Sequence, residues 1–165
     1  MGVKSRMGGP AGGQRAVCRV VLFFLFRALN ALSVRDSRVA AEIAPWPEDR
    51  VLGLEIPGGP ALYMARRGKR LARLKAGAAP DILIRFKSVR DAFYVFTGQM
   101  GVAAAYAQHR FTVRGNVSAT MSFVRCVDLA EGYLFPPFWA KYILKQLPEK
   151  QLGSLRLYAA VLLGR

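Results

Sequence analysis

The sequence predicts an α+β domain, and three observations carry that reading. Between Asp81 and Phe135, strand, helix, strand and helix signals follow one another with few residues between them. Upstream, three short strand-like runs lie between Val51 and Lys75, joined by Gly- and Pro-rich turns. The hydrophobic fraction is 53%, above the ~45–50% usual for globular domains. A chain of 165 residues with that content can bury a single core without disulfides.

The chain divides into a flexible basic N-terminus (1–15), an N-terminal helical segment and connector (16–47), a central domain (48–150) and a C-terminal helix (151–165). In the helical segment Val17, Val20, Val21, Phe24, Leu25, Ala28, Leu29 and Leu32 recur at helical spacing, with Arg15, Arg19 and Arg27 on the other side. The prolines flanking Trp46 end it. Residues 51–56 alternate as a strand, and Pro57-Gly-Gly-Pro60 is a turn by composition. Ala61–Ala65 and Lys69–Lys75 then read as a hairpin about Arg67-Gly68, with glycine supplying the positive φ.

Ile82, Leu83, Ile84 and Phe86 make the next strand. Ser88 is an N-cap, with Asp91 placed at the positive end of the helix. Val89, Ala92, Phe93 and Phe96 form its apolar stripe, and Gly98 stops it. Residues 99–108 resume a helix, and Phe111 and Val113 share one face of the strand that follows. Asn116 caps the next helix, whose expected buried stripe is Val117, Met121, Val124 and Leu129, with Phe123 and Val127 flanking. Asn116-Val-Ser118 matches a glycosylation sequon by chance, since it sits in a tight turn. Phe138, Trp139, Tyr142, Ile143 and Leu147 read as a short aromatic helix, and residues 151–163 as an amphipathic tail helix.

The net charge of +15 draws anionic partners: membrane, phosphate-bearing ligands or nucleic acid. The densest basic run, from Arg66 to Lys75, contains no aromatic residue on which a base could stack, so charge is the whole case for nucleic acid. Cys18 and Cys126 are too far apart in sequence for a metal or redox motif, which implies free thiols in a reducing compartment. His109 lacks catalytic partners, and the ten carboxylates are scattered, so neither an enzyme nor a metal site is expected. Between Arg19 and Arg27 lie seven apolar residues, short of the ~20 that span a bilayer. That run is read as a helix packed on the domain, ahead of membrane-surface attachment or a signal segment cut near Ala31-Leu-Ser33.

From about Ala61 to Val127 the order and spacing of signals resemble the sterol carrier protein 2 domain, the SCP2-like lipid-binding family. The resemblance rests on a hairpin turning at Arg67-Gly68-Lys69, a strand opening with Asp81-Ile-Leu-Ile84, and a helix from Phe93 to Gly98. A strand ending at Gly115-Asn116 and the apolar helix after it complete the pattern. It implies a five-stranded sheet with helices over one face and an apolar cavity between, here with extra N- and C-terminal helices. It also implies binding of fatty acid, acyl-CoA, sterol or another lipid without catalysis or cofactor. The chain ends Leu163-Gly-Arg165 rather than in a peroxisomal signal, so that import route is not implied.

Under that resemblance Phe86, Phe93, Phe96, Met100, Val102, Phe111, Met121 and Phe123 would wall the cavity, and Arg66, Arg67, Lys69 and Arg70 would meet a head group or a membrane. The expected function is to hold a hydrophobic lipid and to present or transfer it. The alternative is an accessory or scaffold protein at a membrane surface, serving a lipid or quinone biosynthesis complex. The expected partners are the lipid or acyl-CoA ligand, an anionic membrane surface and a lipid-biosynthesis enzyme. The expected location is cytoplasmic, or peripheral to a membrane.

Overall fold

The computed structural model describes residues 10–134. The expected aromatic helix at 138–147 and the tail helix at 151–163 lie outside the described residues, as do residues 1–9 of the N-terminal segment. The order is α1 (Pro10–Arg35), α2 (Ser37–Ile43), β1 (Val51–Glu55), β2 (Ala61–Arg67), β3 (Arg70–Leu74), β4 (Ile82–Phe86), α3 (Val89–Phe96), α4 (Val102–Ala107), β5 (Phe111–Arg114) and α5 (Val117–Leu134). This is the α+β class that the sequence predicts.

The five strands form one sheet in the order β3-β2-β1-β4-β5. β1 and β4 run parallel at its centre, with Leu52 opposite Ile82 and Leu54 opposite Ile84; the other pairs are antiparallel. Alternation then sorts the side chains. Leu52, Leu54, Leu62, Met64, Leu71, Ile82, Ile84, Phe86 and Phe111 project from one face, and all are buried beneath the helices. The β2–β3 turn falls at Gly68-Lys69, where Gly68 adopts φ 60°, as the composition predicts.

α3 begins as expected. Ser88 is its N-cap, its hydroxyl accepting from Asp91 N at 3.1 Å and donating to the Asp91 carboxylate at 2.7 Å. Arg110 reaches the same carboxylate at 2.9 Å and so ties the start of β5 to the start of α3.

α1 buries half of the stripe that its periodicity suggests, Leu25, Ala28, Leu29 and Leu32, whereas α5 buries a different one. In α1 the buried set is Cys18, Leu22, Leu25, Ala28, Leu29 and Leu32, while Val17 and Val20, read as inward, are exposed. In α5 the buried set is Ala119, Thr120, Ser122, Phe123, Cys126, Ala130, Gly132 and Tyr133, while Val117 and Met121 face outward. For α5 the reason is close approach. α5 packs on α1 and α2, and small side chains let the helices come near where Val and Met would hold them apart. α1 also starts at Pro10, so residues 10–15, expected to be irregular, are helical.

Polar bonds inside the α2–α5 contact fix its register. Trp46 Nε1 donates to Ser122 Oγ at 3.1 Å, and Ser122 Oγ donates to Glu42 O at 2.8 Å. Arg125 holds Glu42 through both carboxylate oxygens, at 2.6 and 2.8 Å. Ser122→Ala would leave the buried Trp46 N–H without its acceptor. It is expected to lower the unfolding free energy by about 1–2 kcal/mol, read as a lower urea midpoint with an unchanged m-value.

Candidate functional site

The expected wall residues fall on three neighbouring parts of the fold. Phe86 ends β4, Phe111 opens β5 directly opposite it, and Phe96 closes α3. Their rings form one cluster: Phe86 lies 5.4 Å from Phe96 and 5.5 Å from Phe111, and Tyr106 of α4 lies 5.8 Å from Phe111. These separations and tilted planes are the favourable ones for aromatic pairs.

Around that cluster the wall is thinner. Phe93, Met100 and Val102 are half-buried and pack against the core, and Tyr106 is 60% exposed. All four belong to α3, α4 or the short link between them. The link turns at Gly98 and is held by Met100 N donating to Tyr94 O at 3.1 Å. α4 is six residues long and buries only Ala105. A buried aromatic floor thus carries a short apolar cover with little of its own surface anchored.

The two remaining wall residues sit on α5. Phe123 belongs to the core at 2% exposure, whereas Met121 points outward at 49%. Tyr106 was not singled out from the sequence. Its place one turn before Phe111, in an Ala-rich helix, is the signal that could have found it.

The basic candidates also separate. The Arg66 guanidinium donates to the carbonyls of Gly68 and Ala44, each at 2.9 Å, and to that of Trp46. It therefore clamps the α2–β1 connector onto the hairpin. Arg67 pairs with Asp49. Lys69 and Arg70 are exposed at the hairpin tip.

Both cysteines are buried and free, and burial pushes the Cys126 thiol up to about 12, which leaves it inert as a nucleophile. His109 is exposed at the end of α4 with φ 54°. Asp128 and Glu131 lie one turn apart on α5. Burial, with the Asp128 charge added, pushes Glu131 up to about 8, and burial raises Asp128. Among the described residues, no group of three or more His, Cys, Asp or Glu is placed to hold a metal ion.

No family model and no curated protein matches the chain. Among solved structures it is similar to a UbiJ-SCP2 ubiquinone synthesis protein, at 20% identity and a TM-score of 0.43, over 80% of this chain and 99% of that one. It is also similar to sterol carrier protein 2 like 2 from Aedes aegypti, at 12% identity and a TM-score of 0.42, over 65% of this chain and 96% of that one. Sterol carrier protein domain 2 of Helicoverpa armigera is a third, at 20% identity and a TM-score of 0.41, over 63% of this chain and 83% of that one.

Proposed function

We propose that this protein binds a hydrophobic lipid between its sheet and the α3–α4 segment, and presents or transfers it without chemical change. The observation that carries the reading is the Phe86–Phe96–Phe111 cluster lying under a half-buried cover of Phe93, Met100 and Val102. The resemblance stated above points the same way. Sequestering half of a 16-carbon acyl chain releases several kcal/mol at roughly 25 cal/mol per Å². Met and Phe walls adapt to chains of different length, so selectivity for length is expected to be loose. Lys69 and Arg70, exposed and basic, are the candidates for meeting a carboxylate or phosphate head group.

Native mass spectrometry of the freshly purified protein, with organic extraction, tests this. A co-purified acyl or isoprenoid species near stoichiometric amount is the expected result. An apo mass that fatty acids, acyl-CoA and quinones leave unchanged would sink the reading. It would favour an accessory role beside a lipid- or quinone-synthesising enzyme.

The cover makes a sharper prediction. The double variant Phe93→Ser/Met100→Ser removes two half-buried apolar side chains, equivalent to about 1.5 kcal/mol of lipid contact, or roughly tenfold in affinity. Both side chains also pack against the core, so its thermal midpoint is expected to fall modestly, and affinity is compared well below that midpoint.

A further inference from the structure

We propose that the outward side of α1, with the basic edge formed by β3, is a docking face for a bilayer containing anionic phospholipid. The inference goes beyond interior lipid binding and holds whether or not the interior carries a ligand.

α1 presents two apolar sides with different surroundings. Cys18, Leu22, Leu25, Leu29 and Leu32, spaced by threes and fours, are in the core. On the opposite side Val20 is 53% exposed, Phe23 42% and Val34 47%. By length and composition the stretch Gly12–Arg35 is apolar enough to cross a membrane, but crossing would pull the inward stripe out of the core. Lying along the surface keeps that stripe in place and covers the outward one.

Charge is a separate observation. α1 carries Arg15, Arg19, Arg27 and Arg35 and no Asp or Glu. Beside it runs β3, whose Leu71 N donates to Asn30 Oδ1 of α1 at 3.2 Å. Lys69, Arg70, Arg73 and Lys75 on and around that strand are exposed, again with no carboxylate among residues 69–75. Glu42 on Arg125 and Asp91 on Arg110 lie away from this edge. At the hairpin, Asp49 pairs with Arg67 and Glu48 accepts from Gly68 N, and among the described residues no ion pair takes up Lys69, Arg70, Arg73 or Lys75.

An apolar strip bordered by arginines suits the boundary between head groups and acyl chains. The Arg27 guanidinium lies 5.3 Å over the Phe23 ring, so the stem can share the apolar layer while the fork reaches phosphate. The exposed apolar residues make a convex line along one helix. A fluid bilayer follows such a line, and the arginines bordering it favour anionic phospholipid as the occupant.

Co-sedimentation of the full chain with vesicles tests this, using phosphatidylcholine with and without phosphatidylglycerol. The wild type is expected to sediment with the phosphatidylglycerol vesicles and to be released by high salt. Arg19→Gln and Arg73→Gln should each weaken binding about fivefold. Val20→Ser/Phe23→Ser should weaken it tenfold or more, with thermal midpoint and interior ligand, read in parallel by native mass spectrometry, unchanged. Failure to sediment, or equal binding to both vesicle types, would overturn the proposal. Wild-type binding by the Val20→Ser/Phe23→Ser variant, with displacement by an acidic polypeptide at constant salt, would overturn it too and assign the face to an acidic protein.

Discussion

Gly115→Ala is expected to lower the unfolding free energy by about 3–5 kcal/mol. Gly115 ends β5 with φ 112°, a conformation that costs a residue with a side chain about 1–3 kcal/mol. A Cβ there would also lie 2.2 Å from Asp81 O and 3.1 Å from Ile82 Cα. Both neighbours are backbone, so no rotamer change relieves the overlap. β5 would have to leave β4 at the Leu83–Arg114 pair. That would also disturb Asn116, whose side chain caps α5 by accepting from Ala119 N at 3.0 Å. Gly68→Ala is the internal control: its φ is 60°, yet nothing lies within 4 Å of a Cβ, so about 1 kcal/mol is expected. Urea unfolding of the two variants compares them directly. Equal losses would show that strain rather than close approach governs Gly115.

Asp36→Ala is expected to cost about 2–4 kcal/mol. The residue is fully buried between α1 and α2. It caps α2 by accepting from Arg38 N at 2.9 Å, pairs with the Arg38 guanidinium at 2.8 Å, and accepts from the Tyr133 hydroxyl of α5 at 2.7 Å. One residue therefore joins three helices, its amide donating to Leu32 O of α1 and its carboxylate meeting α2 and α5. Because the Arg38 side chain is 30% exposed, solvent screens part of the ion pair.

Burial alone would raise the Asp36 pKa, but the hydrogen bonds from the Arg38 side chain, the Tyr133 hydroxyl and the Arg38 amide together hold it below its ordinary 3.8. A carboxyl lowered on folding stabilises the fold above its unfolded pKa, and that contribution fades as pH falls through the folded one. Asp36→Asn keeps a good capping residue and removes the charge. The stability gap between wild type and Asp36→Asn should thus be full at pH 7 and narrow below about pH 4. A gap constant down to pH 2 would show that the charge contributes nothing.

What the sequence made legible was local. The Ser88 cap, the glycine turn at Gly68 and the Asn116 cap were all readable because a side chain acts on its own neighbouring backbone. The strand order was not: nothing in residues 51–86 states that β4 crosses past the β2–β3 hairpin to pair in parallel with β1. Nor was the buried face of α5, where Val117 and Met121 looked like core and Ala119, Ser122 and Ala130 did not. Size marks a core residue only when the partner stands at ordinary distance. Asp36 was overlooked as a junction because Tyr133, which ties it to α5, is 97 residues away; its cap on Arg38 N is local and was open to the same reading as Ser88. At the candidate site, alternation and the α3 stripe gave Phe86, Phe96 and Phe111 only their local faces, the family resemblance grouped them, and the fold brings their rings together. The roles of the arginines were not readable, since Arg66 is occupied by carbonyls of a connector whose path only the tertiary structure gives.

The inward stripe of α1 has a consequence for how the protein is made. Its covering partners, α3 and α5, are encoded in residues 89–134, well after Arg35. At ~10 residues per second, α1 waits on the order of ten seconds on the ribosome before α5 is complete. Throughout that interval its leucine stripe is uncovered, and the helix meets the length and composition of a membrane span. Expression is therefore expected to depend on whatever shields the nascent chain. Slowing translation between Arg35 and Val89 should lower soluble yield, whereas the same delay after Leu134 should not.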